Sequence, residues 1–164
     1  MSNPLIKEQI VKSTETEMRF GNNSRIISLP CGPDGKTIRG YTGDIVVIEE
    51  AGIMKDHIVN TVIVPMLASK GDRGQLIKIG TPLTRGHFYD SCFNDPKYTV
   101  IKVTWQDCVK EGHYSLDFIE DQKRNLLETE FQTEYCAEFI SDSDIFFPNN
   151  LINQCIEQYE LWKN

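Results

Sequence analysis

The 164 residues contain no uninterrupted apolar run of the roughly 18 residues that a membrane-crossing helix needs, which excludes a helical membrane protein from the sequence alone. Five cysteines (Cys31, Cys92, Cys108, Cys136, Cys155) stand far apart, odd in number and without a CxxC pair. His57, His87 and His113 are equally scattered, none with a second ligand at metal-binding spacing, so no zinc is expected. No apolar leader follows Met1-Ser2-Asn3-Pro4, and the thiols are expected to be reduced and cytosolic. Internal repeats and low-complexity tracts are also lacking, which excludes solenoids and linker-like chains. What is present is ordinary globular composition: 40% hydrophobic, 25% charged and 10% aromatic residues. Such a chain forms one domain with a real core.

Positive charge is scarce in one part only. Residues 1–102 hold 13 Lys and Arg against 11 Asp and Glu, whereas residues 103–164 hold 4 against 13. Any grip on a polyanion must therefore come from a local patch in the first part, and the acidic second part reads as a solvated or protein-binding face.

Glu17 to Phe20 and Arg25 to Leu29 are strand-like runs around Gly21-Asn22-Asn23-Ser24, residues that tolerate positive φ, and they predict a β-hairpin. Residues 30–43, with four glycines and two prolines, predict a long functional loop. Ile45-Val46-Val47-Ile48 is apolar without alternation, as in a parallel strand buried on both faces. A helix is expected over Asp56 to Leu67 with Ile58, Val62 and Val64 inward and Pro65 disturbing its end. Further strands are expected at Leu76-Ile77-Lys78-Ile79 and Tyr98 to Val103, giving βαβ alternation. From Ser115 the period becomes helical: Leu116 and Ile119 open one helix, Leu127, Phe131 and Tyr135 mark a second, and Leu151, Ile152, Cys155, Ile156 and Tyr159 share a face of a last one.

The strongest chemical signal is the abrupt end of the first apolar strand in Glu49-Glu50. Paired acids at a strand's carboxyl end lie where open α/β sheets bind ligands. In an NTPase the first would hold Mg²⁺ through water and the second would orient or deprotonate the attacking water. The alternative is two solvated acids opening a loop. Gly80-Thr81-Pro82 ends the next strand, where the Thr81 hydroxyl would sense a γ-phosphate, or the tripeptide is a turn and nothing more. Gly35-Lys36-Thr37 resembles the end of a phosphate-cradling G-x-x-x-x-G-K-[ST] loop, but the first glycine falls on Pro30 and Pro33 lacks a backbone N–H. It is rejected as a P-loop.

In this order, Gly21-Asn22-Asn23-Ser24, Asp34 to Gly40, Ile45 to Ala51, Gly80-Thr81-Pro82, Phe88-Tyr89, Phe131 to Phe139 and Phe147-Pro148 resemble the second half of the ATPase domain of the large terminase subunit of tailed viruses. The resemblance covers roughly residues 15–148. It implies an α/β, P-loop-NTPase-like parallel-core sheet, incomplete because the P-loop strand is missing, with a β-hairpin and a small helical lid subdomain. Residues 1–84 would be a partial core, 85–148 the last core strand and lid, and 149–164 a C-terminal helix or linker.

By the same resemblance Glu49 matches the Mg²⁺-holding Walker B acid, commonly Asp in that family, and Glu50 the catalytic glutamate. Gly80, Thr81 and Pro82 match the motif that couples hydrolysis to movement, with Gly80 and Thr81 at the nucleotide, and Arg39 a finger reaching a neighbouring subunit's nucleotide. Arg39 as a mere holder of its own loop is the alternative. ATP and Mg²⁺ would be the cofactors, usable only with the missing P-loop half. The partners would be double-stranded DNA, other large subunits in a ring, the portal and the small terminase subunit, with no membrane, in the host cytoplasm. The chain would belong to a motor that hydrolyses ATP to move DNA into a procapsid, without autonomous activity. Two other readings stand beside it: a non-catalytic remnant or interaction module of the same fold, and another P-loop motor such as a helicase.

Overall fold

The computed structural model describes residues 7–83 and 85–140, and the expectations for Ser141 to Asp144, Phe146-Phe147-Pro148 and the last amphipathic stretch lie outside them. Strands β1 (Ile10–Ser13), β2 (Glu17–Phe20) and β3 (Arg25–Ile27) form an antiparallel sheet in that order. The expected hairpin is its second pair, with Glu17 opposite Ile27 and Arg19 opposite Arg25. Its turn works by local chemistry: Asn23 takes a φ of 67°, and the Asn22 side-chain oxygen accepts from the Ser24 amide at 3.0 Å.

The loop that follows is less open than its glycines and prolines imply. Lys36–Ile38 makes one 3-10 turn and buries Ile38 in the core, while Thr37 Oγ1 donates to the Pro30 carbonyl at 2.7 Å. Lys36 pairs with Asp34 at 2.7 Å, and no helix follows the Gly35-Lys36-Thr37 stretch, as a P-loop would require.

β4 (Ile45–Ile48) and β5 (Gln75–Lys78) pair in parallel, Val47 opposite Ile77, and form a sheet of two strands. They are joined by α1 (residues 56–67), which packs Ile58, Val59, Val62 and Ile63 against Ile48, Ala51 and Ile38. Within α1, Val59–Ile63 widens into a π-helical segment just ahead of Pro65. A proline there cannot donate to the carbonyl four residues back and its ring crowds it, so the preceding turn opens. That displacement rotates Val64 outward, correcting the expectation that it faces the core.

Two further expectations are corrected. β4 is buried on one face rather than both, for Ile45 and Val47 are exposed. Tyr98 to Val103 forms no strand, and Ile101 is 84% exposed. A β-branched run becomes a strand only where a neighbour takes its backbone bonds, and among the described residues β4 and β5 pair with each other alone.

The remaining α-helices among the described residues are α2 (His87–Phe93), α3 (Trp105–Lys110), α4 (Leu116–Asn125) and α5 (Glu128–Cys136). Capping side chains set three starts: Asp107 accepts from the Thr104 amide at 2.9 Å, Ser115 from Phe118 at 3.2 Å, and Glu130 from Leu127 at 3.0 Å. Leu127 is thus an exposed cap, not the first core residue of its helix. Ile119 and Phe131 are buried between α4 and α5 beside stacked Tyr135. Phe139, beyond α5, packs on Phe88, Tyr89 and Phe93 of α2 with ring centroids 5.1–5.9 Å apart.

Candidate functional site

The carboxyl ends of β4 and β5 are locked together by backbone. Ile79 donates to the Ile48 carbonyl at 2.9 Å, and the Ala51 amide donates back to the Ile79 carbonyl at 2.8 Å. Between these two bonds the chain must reverse, and it does so at Glu50, held at a φ of 56°, before the 3-10 turn Ala51–Ile53. A non-glycine residue in this left-handed region is strained by about 1–2 kcal/mol, and such strain gathers at functional sites. Ala51 is buried in the core while Glu49 and Glu50 are exposed, so two solvated acids ride on a fixed turn.

The Gly80 and Gly52 backbones meet across this junction. A Cβ on Gly80 would lie 2.8 Å from the Ala51 amide nitrogen, and one on Gly52 would collide with the Thr81 carbonyl oxygen. Only glycines allow this approach. The structure therefore brings Glu49, Glu50, Gly80 and Thr81 into one junction, as their places at two adjacent strand ends imply. The Thr81 hydroxyl donates to Glu134 on α5 at 3.3 Å, which ties the second turn to the helical part.

Arg39 closes the 3-10 turn Lys36–Ile38. It is exposed and lines an open cavity of about 310 Å³ together with Tyr41, Thr42, Thr61, Val62, Pro65 and Met66, a set that holds neither Glu49 nor Glu50. Neither acid lines the cavity that the guanidinium borders.

A cluster that the sequence motifs do not announce lies directly beneath the acid turn. His87, at the start of α2, is 7% exposed, and its ring Nε2 is 3.0 Å from the Met54 carbonyl. Its own amide donates to Asp56 Oδ1 at 2.8 Å, and its carbonyl accepts from Lys78 Nζ at 3.1 Å and from Ser91 Oγ at 2.7 Å. Burial, and next the neighbouring Lys78 ammonium, lower the pKa of His87, and burial lowers that of Lys78. Lys78 also sits 4.8 Å from the centre of the Tyr98 ring. The one available signal in the sequence is a lysine at an inward position of an otherwise apolar strand.

Among the described residues no three His, Cys, Asp or Glu side chains gather closely enough to hold a metal by themselves. The donor types at the junction, two carboxylates and a hydroxyl, are nevertheless of the hard-oxygen kind that Mg²⁺ takes, one or two carboxylates beside several waters and phosphate oxygens. Among the described residues no helix is long and apolar enough to cross a membrane.

No protein-family model matches the chain, and no curated protein matches it. Among solved structures, a mutant of the large terminase ATPase domain of Thermus phage P74-26 is similar, with a TM-score of 0.53 and 23% sequence identity, over 66% of this chain and 48% of that one. The chain thus spans about half the length of that domain. The likeness establishes a mixed α/β, terminase-ATPase-like fold for the matched part.

Proposed function

We propose that this chain carries the acid half of the ATPase site of a viral large terminase, a motor that hydrolyses ATP to drive double-stranded DNA into a procapsid. The observation that supports it most is the junction itself: paired acids on a strained, backbone-locked turn, pressed by glycines against the Gly80-Thr81 turn at the end of the neighbouring parallel strand. A fold shared with a terminase ATPase domain supports it from a second direction.

In this reading Glu49 would hold Mg²⁺, which when bound bridges nucleotide phosphate oxygens and offsets their charge. Glu50 accepts a proton from the attacking water. Thr81 reports the state of the site to α5 through Glu134. Arg39, exposed on a cavity that neither acid lines, serves as a finger toward the nucleotide of a neighbouring large subunit in a ring. Residues 1–84 act as a partial core lacking the P-loop strand and 85–148 as the lid, without the expected last strand, with 149–164 as a C-terminal helix or linker. The portal, the small terminase subunit and DNA are the further partners, in the host cytoplasm.

One observation favours a non-catalytic interaction module instead. Gly35-Lys36-Thr37 does not form a phosphate cradle, its lysine being tied to Asp34. The two readings separate when a polypeptide carrying a terminase P-loop is supplied. The mixture should hydrolyse ATP, and Glu50→Gln should lower turnover by about 10²–10⁴-fold while nucleotide binding survives. No turnover in any mixture favours the module, and unchanged turnover in Glu50→Gln assigns the base elsewhere.

A further inference from the structure

We propose that His87 is a positioning residue: as its Nε2–H tautomer it fixes the turn that bears Glu49 and Glu50 against the Gly80-Thr81 turn. The Met54 carbonyl can only accept, so the nitrogen 3.0 Å from it must carry the proton. Nδ1 is then a bare lone pair, and among the described residues it is the buried side-chain nitrogen or oxygen left without a partner. Proteins rarely leave such an atom unpaired, and it persists where the rest of the group is needed in place.

What the ring is needed for follows from its neighbours. Met54 closes the 3-10 turn that Glu50 begins, so the bond from His87 grips the far end of the acid turn. Lys78 stands two residues before Gly80, and its bond to the His87 carbonyl grips the strand that delivers the second turn. Asp56 takes the His87 amide from the first residue of α1, and Gly86 is pressed so closely on that carboxylate that a Cβ would lie 2.6 Å from Oδ1. His87 is therefore the point at which the acid turn, the end of β5, α1 and α2 meet. A shift of α2 would reach the acids through one imidazole. The catalytic consequence rests on the ATPase reading; the positioning does not.

Ring and backbone NMR of the ¹⁵N-labelled chain tests the two separately. At neutral pH the ring should be neutral with its proton on Nε2, and a proton on Nδ1 would overturn the proposal without any variant. His87→Gln can place an amide N–H near the Nε2 position and should keep the Glu50, Ala51, Gly52 and Met54 amide resonances near their wild-type values. His87→Asn is too short and should displace them. Equal displacement by both, or by neither, overturns the proposal. In a motor restored with a P-loop polypeptide, His87→Asn should lower kcat at least tenfold with KM for ATP unchanged, and His87→Gln should recover it. If the NMR results hold but the wild-type mixture never turns over, the ATPase reading fails and the positioning stands. An unchanged kcat in His87→Asn removes the catalytic consequence.

Discussion

The two faces of the β4–β5 pair are built from the same residue types and meet different fates. Val46, Ile48, Leu76 and Lys78 turn toward α1 and the polar cluster, while Ile45, Val47, Ile77 and Ile79 are 57%, 55%, 43% and 55% exposed. A parallel sheet is ordinarily covered on both sides. The difference teaches that the apolar, unalternating sequence of β4 suits two covered faces, whereas the described residues cover one. The functional junction belongs to the covered side: Ile48 and Ala51 anchor it in the core.

The largest effect should come from the anchor. Ile48→Ala removes a side chain 3% exposed and should destabilise the chain by about 2–5 kcal/mol, while Val47→Ala next to it should stay within about 0.5 kcal/mol. Urea unfolding of the two variants decides this, and equal losses would mean that both faces are covered in solution.

Gly80→Ala follows, since its Cβ must push the Ala51 amide away, at about 1–3 kcal/mol. The same change at exposed Gly40 meets nothing within 4 Å, but it places a side chain at a φ of 87° and tests conformational strain alone. A larger loss at Gly40 would show that the close approach at the junction is not tight.

Strain at Glu50 should be worth less. Glu50→Gly should be more stable than Glu50→Ala by about 1 kcal/mol, because only glycine takes a φ of 56° freely. Equal melting temperatures would remove strain from the account.

The pH dependence beneath the junction should be smaller still. The folded state holds His87 with a pKa below the usual 6.5, burial being the first cause and Lys78 the second. Between that lowered value and 6.5 the unfolded chain binds a proton that the folded chain refuses, so stability rises with pH across this window. The contribution is complete above the unfolded value and lost as pH falls. His87→Gln should flatten this part of the profile, and a slope of opposite sign would mean that the buried ring is charged.

The weakest effect concerns the bare face. Light scattering should detect association that grows with concentration and is reduced by Val47→Lys, since an uncovered apolar sheet with open edges recruits partners. A strict monomer at high concentration would contradict it.

The hairpin, β4, β5 and the helical period were legible because short-range chemistry decides them: Asn22 and Asn23 make their own turn, and β-branched runs become strands where they have partners. Tyr98 to Val103 was misread for the complementary reason. Its propensity is strand-like, but among the described residues no strand pairs with it. The outward turn of Val64 was hidden because a regular period ignores the widened helix that Pro65 imposes. At the site, Glu49-Glu50 and Gly80-Thr81 were legible as ends of adjacent strands. The strain at Glu50 and the His87 cluster were not, because they arise from backbone closure and from residues 31 and 33 positions apart in sequence.

The central claim is that the acid turn is half of a nucleotide site. Calorimetric titration of Mg-ATP into the chain alone, and into its complex with a terminase P-loop polypeptide, tests this directly. Two carboxylates without a phosphate cradle repel a triphosphate, so the account predicts no specific heat from the isolated chain and saturable binding once the polypeptide is present. Micromolar binding by the chain alone, or none by the complex, would contradict it.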